Sequence, residues 1–203
     1  IKLIVCGSAT SWMMNKLINN KGGLHNRVTH QIKLSPFTLG ECEEFLKAKN
    51  FTMDRFEIAQ FYMVLGGIPY YLKLLDKGES LAQNVDRLLF SEDGELRNEF
   101  HNLYHALFRN SEKYIAIVEV LAQKKKGITR NTLIKELSVE SSGGVSKALD
   151  DLENCGFIRR YSPFGKKTKD ELIQLVDFYT LFYFRFLAKR AKGRRNQWLQ
   201  IQG

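Results

Sequence analysis

The chain has 203 residues, 44% of them hydrophobic and 26% charged, a composition that excludes a disordered tail, a collagen-like rod and a disulfide-stapled miniprotein. Its formal charge of +9 is unevenly placed: residues 1–108 carry 12 basic and 12 acidic side chains, whereas residues 109–203 carry 19 and 10. A surplus confined to the second half points to a polyanionic partner there, nucleic acid before an anionic membrane surface. Cys6, Cys42 and Cys155 are widely spaced and odd in number. That pattern fits thiols of a reducing, cytoplasmic setting and neither a disulfide nor a zinc framework. No apolar run approaches the roughly 18 residues of a membrane span, so no membrane partner is expected.

In chain order, Lys2–Cys6 is a β-rich run closed by Gly7-Ser8 and predicts a buried strand. Ser11–Ile18 predicts a helix, and the alternation of Val28, His30, Ile32 and Leu34 predicts a second strand ending at Pro36. The chain opens directly on the first strand, so residues 1–37 are expected to be the end of a larger α/β core. Thr38-Leu39-Gly40-Glu41 is a capping box, in which each side chain satisfies the other's free backbone amide. A second helix covers Phe56–Leu65 and stops at Gly66-Gly67. Pro69 opens a third that runs to Gly78, and Leu81–Phe90 and Leu96–Phe108 complete an all-helical block, residues 38–108.

Beyond Arg109 the pattern changes. Tyr114–Ala122, Thr129–Leu137 and Val145–Asn154 predict three helices, the last with Val145, Leu149 and Leu152 on one face. Phe157–Tyr161 and Leu172–Val176 predict a hairpin joined by Ser162–Glu171. Three helices and then a hairpin are the order of a winged helix-turn-helix, assigned to residues 109–177. Residues 178–203 form an aromatic and basic linker helix and tail. The expected fold class is mainly α with minor β.

Within the winged unit, Ser142, Ser146 and Lys147 face away from the apolar side of the third helix and suit phosphates and base edges. Arg130 and the wing lysines Lys166, Lys167 and Lys169, set around the aromatic Phe164, complete the candidate DNA contacts. Asp150 and Asp151 are expected on the same exposed side, where they would repel DNA and weaken sequence preference. Gly165-Lys166-Lys167-Thr168 mimics the end of a phosphate loop, but Arg160 stands where its first glycine belongs. His101 and His105 share a helical spacing yet lack a third ligand, so no metal site is expected.

Leu3-Ile4-Val5-Cys6-Gly7-Ser8 followed by Ser11-Trp12-Met13 resembles the sensor-1 strand of archaeal and bacterial AAA-type, STAND-like ATPases. Leu34-Ser35-Pro36-Phe37 with Glu44-Phe45-Leu46 looks like the segment after that core. Val64-Leu65-Gly66-Gly67-Ile68-Pro69-Tyr70-Tyr71-Leu72 resembles the helical lid of the family. Val176–Phe186 resembles the linker to a nuclease-like domain. The resemblance implies the C-terminal part of an ATPase core (residues 1–37), a helical lid and a DNA-binding winged helix, without the phosphate loop, the magnesium-binding acid or the nuclease-like domain.

In the complete family protein, ATP and Mg would be the cofactors. The resemblance gives Ser8 the role of orienting the attacking water and Arg27 that of an arginine finger. It places Gly66, Gly67 and Pro69 beside the nucleotide, and it implies self-association through the ATPase module. A winged-helix transcription regulator and a protein-interaction module without nucleotide dependence are the competing classes. Since phosphate-loop amides, the loop lysine and magnesium supply most of the triphosphate grip, these 203 residues are expected neither to hydrolyse ATP nor to bind it tightly. Titration calorimetry checks this, and micromolar affinity would overturn it.

Overall fold

A computed structural model describes residues 4, 6, 7, 29–139, 142–165, 171–188 and 198. The described residues are mainly helical, with one three-stranded antiparallel sheet. They divide into two compact units, residues 35–102 with 177–203, and residues 1–34 with 103–176. The predicted helix Ser11–Ile18 lies outside the described residues, as does most of the predicted strand Lys2–Cys6.

Val28–Leu34 forms no strand in its described part. Residues 29–38 have no regular structure, and Ile32 and Leu34 are 83% and 89% exposed. Alternation makes a strand only where a neighbour takes its hydrogen bonds and a core takes its apolar face. Among the described residues no strand pairs with this segment, and Ile32 and Leu34 stay in water.

The helical block starts with α1, Leu39–Ala48, and its Thr38/Glu41 capping box forms as the sequence predicts. A second capping box, Asp54 with Glu57, starts α2, Arg55–Leu65. Each box satisfies backbone donors that the first helical turn leaves unpaired. Gly66, at φ 65°, ends α2, and Pro69 opens the short α3, Pro69–Lys73. Beyond α3, Asp76–Ser80 is organised by buried Asn84. That amide accepts from Asp76 N at 2.7 Å and donates to the carbonyls of Asp76, Glu79 and Ser80. α4, Leu81–Val85, continues as a π-helical turn, Asp86–Phe90, where the sequence predicts one uninterrupted helix.

The segment read as a linker packs into this block. α9, Phe178–Phe182, continues as a π-helical turn, Tyr183–Leu187. Its Tyr179 and Phe182 are buried, and Tyr183 stacks on Phe100 with ring centroids 3.9 Å apart. Tyr179 donates to the Leu96 carbonyl, and Tyr71 donates to Glu99 at 2.7 Å. Burial pushes both phenols far above their ordinary range. Burial also pushes the Cys42 thiol up to about 11, so it is a protonated, apolar core group at neutral pH.

Three helices and the sheet make up the other unit. α5, Glu99–Leu107, runs into it and carries buried Tyr104. α6, Ser111–Ala122, is followed by the two-residue β1, Ile128–Thr129. α7, Arg130–Leu137, and α8, Ser142–Asn154, come next, then β2, Ile158–Tyr161, and β3, Leu172–Leu175. The strand order is β1-β3-β2, with Ile128 opposite Ile173 and Ile158 opposite Leu175. Gly127 permits the β1 pairing: it sits at φ 73°, and a Cβ there would lie 2.6 Å from the Ile173 carbonyl oxygen. Ile117, Val118, Leu121, Leu133, Leu149, Leu152, Ile158 and Ile173 form the core between the helices and one sheet face.

Gly67 makes the closest backbone approach of the helical block. Phe37 N donates to Gly67 O at 2.7 Å, and a Cβ on Gly67 would lie 1.9 Å from Phe37 O. Backbone cannot yield as a flexible side chain does, so Gly67→Ala is expected to lower stability by about 3 kcal/mol or more in urea denaturation. Gly66→Ala, which meets open space and adds only backbone strain, is expected to cost about 1–2 kcal/mol.

Candidate nucleic-acid interface

α8 is held at three heights along its length. Near its start, the Lys113 ammonium of α6 donates to the Gly144 carbonyl. Two residues on, Arg130 donates from Nε and Nη2 to Ser146 Oγ at 3.0 and 2.9 Å. Arg130 is the first residue of α7, so this bond ties the start of one helix to the flank of the next. Farther along, Tyr114 of α6 donates to Asp151 Oδ2 at 2.8 Å. Lys147, one turn earlier on α8, reaches the same oxygen at 2.9 Å.

This geometry corrects the expected placement of the acids. Asp151 is 5% exposed, not on the outer side, and its charge is matched by Lys147. Burial first, and the bond to Asp151 second, push the Tyr114 phenol well above its ordinary range, so it remains a donor. Asp150 is exposed but pairs with Arg160 at 2.6 Å, and Arg160 also reaches Glu153 at 3.3 Å. The apolar periodicity of α8 located its inner face correctly; only a tyrosine 37 residues away in sequence draws Asp151 inward.

The sequence-predicted DNA contacts therefore divide. Arg130, Ser146 and Lys147 come together on the α7–α8 pair, although Lys147 is committed to Asp151. The side chain of Ser142 and the residues Lys166, Lys167 and Lys169 lie outside the described residues. Cations of the described surface that enter no ion pair there include Lys125, Lys126 and Arg159, all exposed. Lys124 pairs with Glu136 at 2.9 Å. Arg159, Tyr161 and Gln174 were not singled out from sequence. Their period-two spacing on the hairpin was the available signal.

Ser8 and Arg27 lie outside the described residues. Gly66 and Gly67 are buried, and the space above Gly67 holds the Phe37 backbone, so this glycine does not cradle a phosphate. Pro69 is exposed at the start of α3. No group of three or more metal-ligating side chains occurs among the described residues. His101 Nε2 lies 3.1 Å from the Tyr183 hydroxyl, and His105 Nδ1 lies 2.7 Å from the Ser111 hydroxyl. No helix among the described residues is long and apolar enough to cross a membrane.

No family model matches the chain, and no solved structure matches it. An uncharacterized protein of Methanocaldococcus jannaschii is 28% identical to it over 192 residues. The match covers 92% of this chain and 41% of that relative, so the chain spans about two fifths of the relative's length.

Because Asp151 joins α6 to α8 through a buried bond, Asp151→Ala is expected to destabilise the chain by about 2 kcal/mol, leaving the Tyr114 hydroxyl without its acceptor. Tyr114→Phe is expected to cost about 1 kcal/mol. The exposed Asp150→Ala is expected to change stability by less than about 1 kcal/mol. Urea titration of the three variants checks this order.

Proposed function

We propose that the unit from α6 to β3 is a winged helix-turn-helix that binds DNA, carried on the same chain as the helical lid of an AAA-type ATPase. The neutralisation of the acids on α8 carries this reading. With Asp151 buried against Tyr114 and Lys147, and Asp150 paired with Arg160, the helix presents no uncompensated carboxylate at these two positions. The surplus of 19 basic over 10 acidic residues from 109 to 203 then acts on a polyanion without local opposition from them. Lys147 and Arg160 are occupied in that compensation, so affinity comes mostly from phosphate contacts of other cations, with weak sequence preference.

ATP and Mg belong to this proposal only for a complete ATPase, in which Ser8 and Arg27 would serve the reaction. The helical lid reading rests on the Gly66-Gly67-Ile68-Pro69 resemblance. A protein-interaction module is the competing reading, and the pairing of Lys124 with Glu136, which occupies a cation of the basic segment before β1, favours it.

Fluorescence anisotropy of a labelled duplex with the 203-residue chain distinguishes the two. Binding is expected at low salt and is expected to weaken roughly tenfold or more toward physiological salt, as phosphate contacts release counterions. A Lys166→Glu, Lys167→Glu variant is expected to bind more weakly at every salt concentration. Absence of low-salt binding, or equal binding by the variant, would establish the interaction module instead.

A further inference from the structure

We infer that the outward face of the three-stranded sheet is a stacking platform for unpaired nucleotides, a site separate from the α7–α8 surface. The inference rests on the reading that this unit binds nucleic acid, and it adds the class of nucleic acid that one face takes.

The face is set by strand alternation. Ile158, Ile173 and Leu175 point into the core, which sends Arg159, Tyr161 and Gln174 to the other side. Register places Arg159 opposite Gln174 and Tyr161 opposite Leu172. Arg159 donates from Nε and Nη2 to Gln174 Oε1 at 2.9 and 2.8 Å, and its guanidinium carbon lies 5.3 Å from the Tyr161 ring centroid. The far edges of this group are anchored as well. Gln174 Nε2 donates to the Lys125 carbonyl at 2.9 Å, and the Tyr161 hydroxyl donates to the Lys126 carbonyl at 2.6 Å. Three planar groups, a guanidinium, an amide and a phenol, are thus fixed in position before any ligand arrives.

Two lysines border them, and an exposed aromatic follows three residues after Tyr161. The side chains of Lys125 and Lys126 are exposed and enter no ion pair among the described residues. Phe164, after β2, is fully exposed beside Gly165 at φ 73°. An aromatic ring held wholly in water gains nothing for folding. Three residues along the chain from Tyr161, it adds an aromatic face to a set of planar groups and lysines that suits a ligand with both π-faces and negative charge.

Unpaired nucleotides have that combination. Their bases stack on aromatic and guanidinium planes, and their phosphates meet lysines. In a duplex the base faces are already covered by their neighbours and only the edges are offered. An acidic peptide would satisfy Lys125 and Lys126 but would leave Phe164 and the Arg159–Tyr161 pair without a role.

The experiment compares anisotropy of a labelled 15-nucleotide oligo-dT with that of a 15-base-pair duplex, using the complete chain at one salt concentration. Phe164→Ala and Tyr161→Ala are each expected to weaken oligo-dT binding about tenfold, with duplex affinity changed less than about twofold. Neither variant removes a charge, so the salt dependence is expected to persist unchanged. Phe164→Trp is expected to show quenched emission at the new indole when oligo-dT is added. The exposed Phe164 makes no core contact, so its variants are expected to keep the parent melting temperature, which circular dichroism verifies.

Unchanged oligo-dT affinity in both alanine variants, with duplex binding intact, would overturn the platform and leave the DNA-binding reading standing. Equal losses on oligo-dT and duplex would also overturn it, as would poly-glutamate binding as tightly as oligo-dT and independently of Phe164. If neither nucleic acid binds, the platform and the DNA-binding reading fail together.

Discussion

The buried carboxylate of Asp151 is the constraint on which the second unit depends. A carboxylate removed from water needs partners, and it finds a phenol on α6 and an ammonium one turn back on its own helix. These bonds agree with the rotation of α8 that its apolar face requires. Val145, Leu149 and Leu152 then turn toward the core, and Ser146 meets Arg130 at the start of α7. Of the two adjacent acids, Asp151 is thereby kept off the outer side of α8, while Asp150 stays exposed and pairs with Arg160.

A similar economy of polar contacts shapes the helical block. Asn84 alone satisfies four backbone groups between Asp76 and Ser80, and it also accepts from Arg87 at 2.8 Å. Arg87 in turn pairs with Glu79 and donates to the Leu74 carbonyl. One buried amide therefore replaces the regular hydrogen bonds that a longer α3 would have supplied. Helices as short as α3 and α4 are not stable by themselves. They persist because Leu72, Leu75, Val85 and Leu88 are buried in one core with the aromatic side chains of α9 and its π-helical continuation.

Charge compensation has a consequence for the surface of the second unit. Two acids of α8 are balanced by Lys147 and Arg160. Exposed cations outside these pairs include Lys125 and Lys126 before β1 and Arg159 on the sheet face. Such an arrangement favours contacts with phosphates and base faces over edge readout. It accounts for a strongly basic half-chain whose central helix is close to neutral on its outer side.

The sequence by itself determined what depends on neighbours a few residues away. The Thr38/Glu41 box, the stop at Gly66, the start at Pro69, the three helices after Arg109 and the hairpin all follow from local hydrogen bonds and backbone limits. Amphipathic spacing likewise identified the inner face of α8, where Val145, Leu149 and Leu152 are buried. Only the tertiary structure decided the fate of side chains whose partners are distant in the chain. Asp151 is turned inward by Tyr114, Arg159 is planed by Gln174, and β1 exists because β3 passes beside Gly127. The same reason explains the unformed strand at 29–34: alternation marks a surface able to pair, but a strand also needs a neighbour, and that neighbour is not encoded in the segment itself.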